Sequence, residues 1–275
     1  MVNAVPKWSA ATAPPTRAAR RATRRRSAAS APPDDHFGTA VAIETKTTPT
    51  DYVSEADAEA QRAVAAVLRD ASDAPVVGEE DGERSTVPPR GPAWVVDPID
   101  GTNNFVRERP EWVTSVAAVD DGEPVAAATV APMLSTATVA GADRTRRNGE
   151  VVTTSDRTDP AACMVAPTVY WGRDRREEYA GVLAGLVERF GDIRRPGSVQ
   201  LVLADVAAGA LDGAVTTVAT NPWDTIAGAH LVRRAGGRVT DLHGERWGHD
   251  SVGLVASNGE PAVHDALLAA VADWT

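Results

Sequence analysis

The stretch WVVDPIDGTNNF, residues 94–105, decides how the chain is read. An apolar run, Ala93 to Val96, predicts a buried strand, and it leads straight into two aspartates three positions apart. Asp, Pro and Gly are turn formers, so a plain turn accounts for most isolated pairs of this kind. Here Pro98 fixes its own φ and restricts Asp97, which makes the expected turn stiff. A stiff segment presenting Asp97, Asp100 and the Ile99 carbonyl is what a hard, oxygen-seeking cation such as Mg²⁺ requires.

The remaining composition narrows the class. The 275 residues are 43% hydrophobic, enough for a sizeable core and too many for global disorder. No apolar run approaches the roughly 18 residues of a membrane span. The single cysteine, Cys163, lies in a strand-like apolar segment, forms no intrachain disulfide and fits a reducing cytoplasm. None of the five histidines makes a zinc-like spacing.

Net charge is −10, unevenly spread. Residues 1–35 hold Lys7, six arginines and only Asp34 and Asp35; removing them leaves 21 basic and 36 acidic side chains, a net of −15, for residues 36–275. Such a body repels nucleic acid and anionic membranes, so neither is expected as a partner. Lysines number two, Lys7 and Lys46, against 26 arginines. This acidic, lysine-poor composition resembles proteins of salt-loving archaea, although GC-rich coding also favours Arg. The segment 1–35 reads as a disordered basic tail; its twin arginines lack the apolar run of an export signal.

From residue 36 helical and strand signals alternate without an internal repeat. Ser54 and Asp57 form an S-x-x-D box opening a helix with an apolar stripe at Val64, Val67 and Leu68. Residues 74–77 predict a short strand ending at Gly78, and 111–132 a hairpin turning at Asp120 to Pro124. Helices are predicted near 174–189, 198–210 and 223–236, with a strand between the last two. A further strand, VGLVAS, precedes a closing helix. The class expected is α+β, strands in hairpins covered by helices.

Two further acidic clusters lie at element ends: Glu79 and Glu80 past a short strand, and Asp224 at a helix start. Alone, each reads as a solvated loop acid or an N-cap. With Asp97 and Asp100 they make four acids where sites are usually built.

These motifs together resemble the inositol monophosphatase-like, magnesium-dependent sugar phosphatases. GEE at 78–80, DPIDGTNNF at 97–105 and WDTIAG at 223–228 match the family signature in order, and KTTPTDYVSEAD (46–57) is similar to its upstream segment. The resemblance implies a layered αβαβα sandwich over 36–275, divided into an N-terminal half, 36–145, and a C-terminal half, 146–275. It implies a homodimer in the cytoplasm and two or three Mg²⁺ per active site. Glu79, Asp97 and the Ile99 carbonyl would hold one metal; Asp97 would bridge to a second, bound also by Asp100 and Asp224. Thr102, paired with Asp57, would orient the attacking water beside Glu79. The N–H groups of Gly101 and Thr102 would receive the phosphate. Ser198 and Asp224 match substrate-contacting positions. Lys46 is added on composition, as the lone lysine of a body that otherwise uses Arg: a compact ammonium suits phosphate.

The implied activity is hydrolysis of a small sugar or inositol phosphate by metal-activated water. Where inositol phosphatases carry a sugar-gripping acid, the ungapped position is Thr217, so fructose 1,6-bisphosphate is the runner-up substrate. A nucleotide 3′-phosphatase comes third, since that branch shows Lys-Glu where Asn103-Asn104 stand here. A non-catalytic Mg²⁺-binding relative comes last. The haloacid dehalogenase mechanism fails, because Pro98 occupies the position of its nucleophilic aspartate.

Overall fold

The computed structural model describes residues 43–45, 52–80 and 83–274. The basic tail, Lys46 and the rest of 46–51 lie outside the described residues.

A short hairpin of β1 (Ile43–Thr45) and β2 (Tyr52–Ser54) leads into helix α1 (Glu55–Ala71). Seven strands then form one sheet in chain order: β3 (Val76–Gly78), β4 (Pro92–Asp100), β5 (Val113–Asp120), β6 (Glu123–Ala131), β7 (Thr136–Ala140), β8 (Thr145–Arg147) and β9 (Glu150–Val152). Only β3 and β4 are parallel; the other neighbours are antiparallel. Between β4 and β5 lies the one-turn helix α2 (Thr102–Phe105).

The second sheet has five strands. Its members are β10 (Met164–Pro167), β11 (Asp192–Ile193), β12 (Gly213–Ala219), β13 (Arg238–Thr240) and β14 (Val252–Ser257), in the order β11-β10-β12-β14-β13. Helix α3 (Arg176–Arg189) and the closing α6 (Pro261–Val271) cover its outer face. Helices α4 (Val199–Ala207) and α5 (Pro222–Arg234) lie between the two sheets, and α1 covers the far face of the first. The result is the five-layered α+β sandwich that the motifs imply. No helix among the described residues is long and apolar enough to cross a membrane.

The core explains why β4 reads as an unbroken apolar run. Ala93 and Val95 face the inner cluster around α4 and α5, whereas Trp94 and Val96 pack against Val64, Ala65 and Leu68 of α1. A strand covered on both faces has no polar side to alternate with. On α1 the buried stripe is Ala56, Ala60, Val64, Ala65 and Leu68; Val67 is only half-buried. Cys163 is buried and free, as expected.

Two local details differ from the sequence expectation. The segment after Val96 is not a turn: β4 continues through Asp100. Asp97 pairs with Ser115 and Asp100 with Val113, so Pro98 and Ile99 oppose Thr114 alone in a β-bulge. Pro98, which has no N–H to offer a ladder, suits such a position. Asp224 is not an N-cap: Asn221 is, and Asp224 is the third residue of α5. The hairpin strands β8 and β9 extend the first sheet through Val152.

Candidate active site

The bulge sets the geometry of the acids. In a regular strand, residues three apart point to opposite faces. The extra residue resets the alternation, so Asp97 and Asp100 share the inner face, opposite Ser115 and Val113. Ile99 points the other way, into a cluster with Ala56, Ala60, Phe105 and Trp112. Thr114 Oγ1 donates to Pro98 O at 2.8 Å and fixes the bulge.

Glu79 arrives by parallel pairing. Gly78, the last residue of β3, is in register with Val96, so the next residues along the two chains are Glu79 and Asp97. From the middle layer come Asp224, in the first turn of α5, and Ser198, which caps α4. Asp57 lies in the first turn of α1, and Thr102 opens α2. Gly101 makes that last turn possible: its φ is 98°, and a Cβ there would lie 3.0 Å from Glu111 O.

The hydrogen bonds are specific. Thr102 Oγ1 donates to Ile99 O at 3.0 Å and also lies 3.4 Å from Asp57 Oδ1. Asp100 Oδ2 accepts from Ser198 Oγ at 2.7 Å and from Gln200 N at 2.5 Å. Asp224 Oδ2 accepts from Asn221 N at 2.8 Å. Ser198 Oγ, which also accepts from Leu201 N, is 1% exposed with its residue and turned toward Asp100. Two supporting residues escaped the sequence reading. Asn104 donates to Glu111 O and Pro196 O, tying α2 to the loop before Ser198. Gln200 donates to Trp223 O and accepts from Gly228 N, tying α4 to α5. Asn104 falls within the DPIDGTNNF motif, but its tie to Pro196 is not legible there, and Gln200 is a lone buried amide that leaves no periodic signal.

Negative charge is concentrated here. Burial pushes the Asp97 carboxyl well above its ordinary value, and Asp100, Glu79, Asp224 and Asp57 push it further. Burial raises Asp100 to about 6 against the hydrogen bonds from Ser198 and Gln200. Burial also raises Asp224 to about 8, with Asp100 and Glu79 adding to it. The five acids thus share one field. As the side chains stand, no three His, Cys, Asp or Glu among the described residues form a ready-made coordination shell.

A divalent, oxygen-seeking cation fits this donor set. Asp97 Oδ1 is buried without a hydrogen-bond partner among the described residues, which is costly for a carboxylate unless a cation meets it. The donors are carboxylates and the Ile99 carbonyl, with no sulfur and no imidazole, the set preferred by Mg²⁺.

On β12, Thr217 is buried and its hydroxyl engaged. It accepts from Trp171 Nε1 at 2.9 Å and donates to Glu178. Arg175 grips Glu178 with two hydrogen bonds of 2.6 Å. Burial raises the Glu178 carboxyl, but the bonds from Arg175 and Thr217 outweigh it and hold it below its ordinary value.

Comparison with known proteins agrees with this architecture. The model of the inositol monophosphatase family matches residues 19–274. The inositol-1-monophosphatase SuhB of Mycobacterium tuberculosis is 36% identical over 241 residues, covering 84% of this chain and 81% of the relative. A Thermotoga maritima protein named fructose-1,6-bisphosphatase/inositol-1-monophosphatase is 33% identical over 243 residues, covering 86% and 88%. Among solved structures, a Thermotoga maritima IMPase superposes with a TM-score of 0.80 at 31% identity, covering 89% of this chain and 92% of its own. The SuhB protein of Bartonella henselae gives 0.80 at 27% identity, covering 90% and 95%. Matched along most of its length by sequence and by shape, the chain belongs to the inositol monophosphatase family.

Proposed function

We propose that the chain is a Mg²⁺-dependent phosphoric monoester hydrolase acting on a small inositol- or sugar-type phosphate. The observation that carries the reading is the bulge in β4, which turns Asp97 and Asp100 to one face beside Glu79 and Asp224, with Asp97 Oδ1 buried and no hydrogen-bond partner for it among the described residues. Glu79, Asp97, Ile99 O, Asp100 and Asp224 would hold the metals, two or three per site. Bound there, Mg²⁺ supplies charge stabilisation for the attacking and leaving oxygens and lowers the pKa of water.

The chain's own residues supply orientation. The Thr102 hydroxyl has one proton and two candidate acceptors, Ile99 O and Asp57 Oδ1. Once the Ile99 carbonyl serves a cation, Asp57 becomes the better acceptor, and a Thr102 lone pair is free to accept from the attacking water. The N-terminal ends of α1, α4 and α5 bring Asp57, Ser198 and Asp224 to the site, and their positive dipole ends favour an anionic substrate. The N–H groups of Gly101 and Thr102 are the phosphate receivers in this reading. Asp224 contributes to substrate contact, as does Lys46, which lies outside the described residues; Ser198, with its hydroxyl turned to Asp100, supports that carboxylate instead.

Fructose 1,6-bisphosphate is kept as second substrate on one observation. Thr217 carries no carboxylate to grip a polyol, and its hydroxyl is taken by Trp171 and Glu178. The Thermotoga relative bearing both names supports the same alternative. The setting proposed is cytoplasmic, in line with the free Cys163, and the assembly a homodimer. The test is phosphate release from inositol 1-phosphate, fructose 1,6-bisphosphate and a nucleoside 3′-phosphate, with Mg²⁺ and with excess chelator. Turnover that survives the chelator would reject the metal assignment.

A further inference from the structure

Gln61 stands one helical turn after Asp57 on α1, on the same face. It is 3% exposed, and its amide is used at both ends. Gln61 Nε2 donates to Glu80 O at 2.8 Å, and Glu80 N donates to Gln61 Oε1 at 3.0 Å. This reciprocal pair holds the main chain of Glu80 much as a neighbouring strand would. On the other side of Glu79, Gly78 is held by its register with Val96 and by donating to Arg84 O at 3.0 Å. Both flanks of Glu79 are therefore fixed, one of them by a side chain from another element.

Gly78 shows how closely the amide is seated. A Cβ at that position would lie 2.6 Å from Gln61 Oε1, so a side chain at 78 would have to push the amide out of its seat. A buried amide that merely filled space would not need its two polar ends matched to one peptide, nor a glycine beside it.

We propose that Gln61 is a positioning residue for Glu79, so that α1 sets two arms of the site at once. Through Asp57 it faces Thr102, and through Gln61 it fixes the strand end that carries Glu79. This inference rests on the reading of Glu79 as a metal ligand. Its consequence is that losing the Gln61 amide weakens metal binding before it weakens anything else. Outer-shell partners of this kind are worth roughly 10–100-fold in metal affinity.

The test measures Mn²⁺ binding to the full chain by electron paramagnetic resonance, with Mg²⁺ competition and no substrate, alongside a thermal melt. Gln61→Met keeps the volume and removes both hydrogen bonds. Gly78→Ala leaves Gln61 intact but drives a methyl against its amide. Each variant is expected to lose about 10-fold or more in Mn²⁺ affinity, and to regain kcat within a few-fold of wild type at saturating Mg²⁺. Wild-type Mn²⁺ affinity in Gln61→Met, with only a lowered melting temperature, would overturn the proposal. If that variant does not fold, the same result in Gly78→Ala overturns it. A wild-type chain that binds no Mn²⁺ defeats the proposal together with the metal assignment. One that binds Mn²⁺ but releases no phosphate defeats the function alone, and the variants still decide the role of Gln61.

Discussion

The hydroxyl of Thr102 stands 3.4 Å from Asp57 Oδ1, two groups brought together across 45 residues of chain by the packing of α1 on β4. Removing the hydroxyl leaves every carboxylate in place. Thr102→Ala is therefore expected to bind Mg²⁺ as wild type does and to lose about 10²–10⁴-fold in kcat, the usual scale for a positioned acid–base group. Full kcat in this variant at saturating Mg²⁺ would reduce Thr102 to the opening residue of α2.

Asp100→Asn differs in kind. It removes a negative charge while preserving shape and one acceptor for Ser198 and Gln200. The Mg²⁺ concentration for half-maximal rate should rise by at least the roughly 10–100-fold that loss of an outer-shell partner costs, with activity partly recovered by excess metal. A Mg²⁺ titration of initial rate reads this directly, and an unshifted curve would remove Asp100 from the ligand set.

Metal-free protein should lose stability as pH rises. Asp97, Asp100 and Asp224 all have folded-state values above their ordinary one, about 6 for Asp100 and about 8 for Asp224. The folded state thus keeps protons that the unfolded chain has already released near pH 4, and that stabilisation disappears as pH climbs through the folded values. Between pH 5 and pH 8 the melting temperature in chelator should fall, by about 2–4 °C for each kcal/mol lost. Mg²⁺ should restore more at pH 8 than at pH 5. A melting temperature in chelator that is flat across this range would contradict the raised carboxyl values.

Ser198→Ala separates support from substrate contact. Its hydroxyl donates to Asp100 and accepts from Leu201 N at the start of α4. Loss of such a cap typically costs about 0.5–2 kcal/mol. The expected signature is a lowered melting temperature and a weaker Mg²⁺ response, with KM changed by less than about threefold. A large rise in KM alone would assign the hydroxyl to the substrate.

Salt should stabilise the fold. Residues 36–275 carry a net charge of −15, and screening relieves that self-repulsion. The melting temperature is expected to rise from dilute to molar KCl; a flat or falling curve would count against a salt-adapted surface.

The sequence showed the acids but not what aligns them. Glu79, Asp97, Asp100 and Asp224 were legible because their motifs sit at element ends, and the elements themselves followed from apolar runs and caps. The bulge was not legible: DPID has turn chemistry, and only the pairing partners Ser115 and Val113 reveal that β4 continues. Short edge strands such as β9, β11 and β13 were missed because two or three residues carry no period. Asp224 looked like a cap because Asn221, the true one, precedes a proline that starts the helix.

The middle layer has a consequence for how the protein is made. The seven strands of the first sheet are complete at Val152, but the helices that cover their inner face end only at Arg234. On a ribosome adding roughly 5–20 residues per second, that face, with Val95, Ala117 and Val119, waits several seconds for its lid. During that interval the nascent chain exposes an oily sheet surface that the finished molecule never shows. Protection by a chaperone, or a slow stretch of translation placed to suit, would act on this chain in that window and not after release.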